Sequence, residues 1–62
     1  MKPTPIARRL NDEADRHVRL SNGLAVKLFY HPDHKDAAKW KRLAEDHKIR
    51  AETYRTAARM CD

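Results

Sequence analysis

Residues 34–60 read HKDAAKWKRLAEDHKIRAETYRTAARM, with no glycine or proline among them. Along this stretch Ala37, Trp40, Ala44, His47, Ala51, Tyr54 and Ala58 recur at alternating steps of three and four, and Cys61 continues the series. Such alternation is the seam of a helix that lies lengthwise against another helix. Ala, Lys, Arg, Glu and Leu dominate the stretch and favour helix. The first half of the chain carries the matching stripe: Ala7, Leu10, Ala14, His17, Ser21, Leu24 and Leu28. Between the stripes sits His31-Pro32-Asp33-His34. Pro32 disfavours helical geometry at His31 and so ends the first half. Asp33 is a candidate cap for the second helix, and Asp36 adds negative charge near that helix's positive end. The chain is therefore expected to be all-α: a single antiparallel two-helix hairpin over residues 1–62. Its helices are expected over about 5–30 and 34–60, with the turn at 31–33.

Residues 1–4 read as a short extended lead. Thr4 can cap the first helix with Pro5 at its first position, where the missing N–H costs nothing. Pairs one turn apart, Arg8 with Asp12, Asp12 with Arg16 and Asp15 with Arg19, are expected along its polar side. Ser21-Asn22-Gly23 is ambiguous. Asn-Gly is a hairpin turn signal, and Leu24, Val26, Leu28 and Tyr30 could alternate as a strand beside Val18 and Leu20. A lone two-stranded hairpin is marginal in water, and the seam keeps its register from His17 to Leu24 and Leu28. Helix is the favoured reading, with Asn22-Gly23 as a weak point where it can break.

With the turn near residue 32, facing residues have numbers summing to about 64. Leu24 then faces Trp40, His17 faces His47, and Leu10 faces Tyr54. The small residues meet as well, Ala14 near Ala51 and Ala7 near Ala58, as close packing requires.

Sixty-two residues bury little apolar surface. One cysteine precludes an intrachain disulfide, so Cys61 reads as a free thiol, and no Cys/His set has zinc-finger spacing. Oligomerisation is the remaining route to stability, and pairing of two hairpins into a four-helix bundle is expected. No long apolar run and no leader-like segment stands in the sequence, so a cytoplasmic protein without membrane contact is expected.

Fourteen Lys and Arg against nine Asp and Glu leave a net charge of +5. This balance suits nucleic acids, acidic proteins or anionic surfaces and selects none of them. Lys41, Glu45, Lys48, Glu52 and Arg55 alternate in sign along the second helix and read as a solvated face. No catalytic constellation, cofactor motif or phosphate-binding loop is present, and an enzyme is not expected. His17 and His47 facing one another could supply metal ligands or an acid switch across a dimer, against a plain reading as seam residues bonded locally. No metal or cofactor is assigned. His31 and His34 flank the turn, and two ligands are not a site.

Three sets of residues are singled out. Leu10, His17, Leu24, Leu28, Trp40, His47 and Tyr54 form the hairpin seam. Val18, Leu20, Ala25, Val26, Phe29 and Leu43 exceed what one seam needs and are the expected dimer or partner surface. Lys35, Lys39, Lys41 and Arg42, near Phe29, Tyr30, His31, His34 and Trp40, are the candidate nucleic-acid contacts. The leading expectation is a homodimeric, non-enzymatic regulator, inhibitor or adaptor that binds a larger protein. The alternative is a basic regulator that contacts nucleic-acid phosphates through the hairpin tip.

Overall fold

The computed structural model describes residues 4–61. It contains helix α1, Pro5–Tyr30, and helix α2, Ala37–Cys61, packed along their length as a hairpin 47 Å long. Of the extended lead expected over residues 1–4, residues 1–3 lie outside the described residues and Thr4 is extended.

α1 starts as its sequence dictates. Thr4 is extended at φ −62°, ψ 158°, and its hydroxyl accepts the Ala7 N–H at 3.1 Å with proline opening the helix behind it. The helix runs through Asn22-Gly23 without interruption, and Gly23 has no positive φ. Residues 24–30 are thus helix, and the expected weak point does not break it. Packing holds this segment: Ser21 Oγ donates to the Ala44 carbonyl at 2.9 Å, tying the start of the Asn-Gly step to α2. α1 ends at His31, whose N–H still reaches the Lys27 carbonyl at 3.0 Å. Pro32, next in line, has no N–H to continue the ladder.

The connection is longer than the sequence suggests. It spans residues 31–36 and is held by His34 N–H to His31 O and Ala37 N–H to His34 O. The Asp36 N–H donates to His34 Nδ1 at 3.0 Å, and the Asp36 carbonyl accepts the first helical bond of α2 from Trp40. Asp36, not Asp33, therefore stands at the head of α2. The His34 side chain delays the helix by taking a backbone donor for itself. Because Nδ1 accepts here, its 3.9 Å approach to the Asp36 carboxylate is not an ion pair in this tautomer.

Every residue of the α1 stripe, and every residue of the α2 stripe from Ala37 to Ala58, is buried or half-buried. Cys61 is exposed, so the seam stops before it. The fully sheltered core consists of Ala7, Ala14, Ala51 and Ala58 alone among the described residues. Alanines let two backbones approach closely, but each buries little area. Leu10, Leu24, Leu28, Trp40 and Tyr54 are only half-covered, because a second helix shields one side of each and solvent reaches the others. The hairpin exposes 5358 Å². A compact monomer of its 7.3 kDa mass would expose about 4,200 Å².

Candidate interaction surfaces

Four surfaces follow from this geometry: the middle of the seam, its two flanks, and the end near the turn. In the middle, His17 Nδ1 and His47 Nδ1 lie 2.8 Å apart, a hydrogen bond in which one ring must donate and the other accept. The rings stack with centroids 5.1 Å apart, and Tyr54 also stacks on His17 at 5.5 Å. The expected His17–His47 pairing is present, while Tyr54 reaches His17 rather than stopping opposite Leu10. Among the described residues no cluster of three or more His, Cys, Asp or Glu is arranged to hold a metal ion.

Trp40 closes the turn end of the seam. His34 stacks on its ring at 4.5 Å and the Lys27 ammonium lies 5.1 Å from its centroid. Trp40 is thereby occupied as a structural ring, with a cation–π contact adding to its burial. Leu24 and Leu28 are half-buried on the same stripe.

The two flanks differ. One carries Val18 beside Asn22, Lys48, Glu52 and Arg55, which line a shallow groove of about 420 Å³. There Asp15 accepts from Arg55 at 2.8 Å, across the hairpin rather than from Arg19 one turn along α1. Ala25 extends the row of Val18, seven residues on. The opposite flank carries Leu20, which is 200° round the helix from Val18, together with half-buried Leu43 of α2. Val26 points to neither flank and lies on the outer side of α1, beside Phe29 one turn further on. The surface expected from Val18, Leu20, Ala25, Val26, Phe29 and Leu43 is thus not one patch. The structure divides it among the two flanks and the outer end of α1, because closeness in sequence does not fix a shared helical face.

That outer end is the most apolar exposed spot near the turn. Val26, Phe29 and Tyr30 are 56%, 78% and 70% exposed, and the two rings meet edge-to-face at 5.4 Å. Tyr30, which the sequence reading left outside the expected partner surface, stands beside Phe29 on this exposed apolar end. Lys35, Lys39, Lys41 and Arg42 are all exposed. Lys39 and Arg42 are neighbours one turn apart on α2, whereas Lys41 lies on the flank of Lys48 and Arg55.

No protein-family model matches the chain, and no curated protein or solved structure matches it either. Among the described residues, no helix is long and apolar enough to cross a membrane.

Proposed function

We propose that the chain is a non-enzymatic interaction protein that works as a homodimer and grips a larger protein as a regulator, inhibitor or adaptor. The observation that carries this reading is the exposed apolar end of α1, where Val26, Phe29 and Tyr30 stand in solvent at 56–78%. Aromatic side chains pre-held on a helix lose little entropy on binding and are frequent anchors of interfaces. The net charge of +5 favours a partner whose rim is acidic. The grooves beside the seam are open and shallow, which suits a contact surface better than a reaction chamber.

A partner captured from a cell extract by the immobilised wild-type chain tests this reading. The F29S/Y30S variant should lose that partner while keeping its helical circular dichroism. Retention of the same partner by the variant would remove the α1 end from the account.

One observation favours a second reading. Lys35, Lys39 and Arg42 stand exposed within the same end of the hairpin as Phe29 and Tyr30. Bases set beside aromatics suit single-stranded nucleic acid, with bases stacking and phosphates paired. In a salt titration on nuclease-treated protein, this reading requires a steep linear loss of affinity on a log–log plot. Absence of binding at low salt would dismiss it.

A further inference from the structure

The hairpin exposes about 1,200 Å² more than a compact chain of its mass, which exceeds the roughly 800 Å² that one partner contributes to a standard stable interface. A second copy is the occupant that such a deficit calls for, and this step rests on the homodimer reading above. The open question is which side it covers.

One seam residue in each heptad, counted from Ala7 on α1 and from Ala37 on α2, has a flanking neighbour one step earlier in the chain. On α1 these are Ile6, Glu13, Leu20 and Lys27; on α2 they are Asp36, Leu43, Arg50 and Ala57. In an antiparallel hairpin these two rows border the same side of the seam. Numbers summing to about 63 place Ile6 with Ala57, Glu13 with Arg50, and Leu20 with Leu43. Leu20 and Ile6 are 45% and 64% exposed. The other flank, by contrast, carries Lys48, Glu52 and the Asp15–Arg55 ion pair, all of which solvent already satisfies. Covering that flank would strand Lys48 and Glu52, whereas on the first flank the charges meet opposite charges, Glu13 with Arg50 and Lys27 with Asp36, and Ile6, Leu20 and Leu43 would be buried between them.

We propose that two copies pair through the Ile6–Leu20–Leu43–Ala57 side, turn beside turn, about a two-fold axis parallel to the helices. Under that axis α1 of each copy lies against α2 of the other. The apolar layers then coincide, and Glu13 of each copy faces Arg50 of the partner subunit. The opposite arrangement, turn beside termini, sets α1 against α1. Centred on the Glu13–Arg50 layer it places like charges together, and centred on Leu20 it leaves Ile6 against the polar turn. Turn-beside-turn pairing also brings both Phe29–Tyr30 ends to one end of the bundle, giving a bivalent surface.

The native Cys61 makes the geometry measurable, since it is exposed and is the chain's one cysteine. Full-length protein carrying a nitroxide at Cys61 is measured by pulsed electron–electron resonance, after its mass is fixed by sedimentation. With both C-terminal ends together, the labels should lie about 15–30 Å apart, given helix spacings of roughly 8–10 Å and two label arms. The reverse arrangement separates them by a distance close to the hairpin's 47 Å length. I6E and L20E, at positions exposed in the single hairpin, should each shift the dimer toward monomer at least tenfold in concentration. V18E, on the other flank, should not. E13R and R50E chains should each self-associate poorly, yet pair on mixing, a recovery that misfolding cannot produce. A long label distance, or a dimer sensitive to V18E and not to L20E, overturns the proposed side or axis while pairing itself stands. A monomeric wild-type chain overturns the homodimer reading beneath it.

Discussion

His17 and His47 share one hydrogen bond, Nδ1 to Nδ1 at 2.8 Å, in the middle of the hairpin seam. One nitrogen donates and the other accepts, and the Tyr54 ring stacks on His17 at 5.5 Å. Removing the His47 side chain leaves the half-buried His17 without this bond and without one stacking neighbour. His47→Ala should therefore cost about 1 kcal/mol, a shift of roughly 4–8 °C in Tm. Thermal melts of wild type against H47A check this. The variant should melt lower, and an equal Tm in both would refute the role of the pair.

Gly23 sits inside α1 with no positive φ, and a Cβ built there meets nothing within 4 Å. Gly23→Ala should therefore stabilise the protein by about 0.8–1.0 kcal/mol through helix propensity. Chemical denaturation measures it directly. Loss of stability would mean that the chain breaks at Asn22-Gly23 after all.

Ala14 and Ala51 are among the four sheltered residues of the seam. Ala14→Leu inserts three carbons where two backbones approach closely, and should cost about 1–3 kcal/mol by overpacking. A neutral or stabilising outcome in a urea titration would show that the helices do not meet there.

Trp40 is half-buried between Lys27 and His34. Full burial would make Trp40→Ala cost about 3–5 kcal/mol, and the partial exposure reduces this to about 2. His34→Ala should red-shift the tryptophan emission by opening one ring face to water, with only a small change in Tm. An unchanged emission maximum would contradict the stacking.

The seam was legible because its signal is redundant. Seven positions on each helix agree in period, and the close match of His17 with His47 follows from a turn centred near residue 32. The turn itself was less legible. Asp33 has the right chemistry for a cap, but the His34 imidazole competes for the Asp36 N–H, and a propensity argument does not register such a bond. Asp15 was equally ambiguous, since Arg19 along the helix and Arg55 across it are both within reach and only the docked register chooses. The expected apolar surface leaves out Ile6, Tyr30 and Ile49, which stand exposed, and its members Val18 and Leu20, two residues apart, lie on opposite flanks. That separation is invisible in a list of hydrophobic residues and plain once each is referred to the seam.

Four sheltered alanines and a half-covered stripe are a small core for a hairpin of this length, and the proposed second copy would complete it. Sedimentation equilibrium of the unmodified chain, with melts repeated over a hundredfold range of concentration, distinguishes the pair from the single hairpin. The proposed dimer has a mass twice the 7.3 kDa of one chain and a Tm that rises with concentration. A chain that sediments at 7.3 kDa throughout and melts cooperatively at one fixed temperature would rule the dimer out.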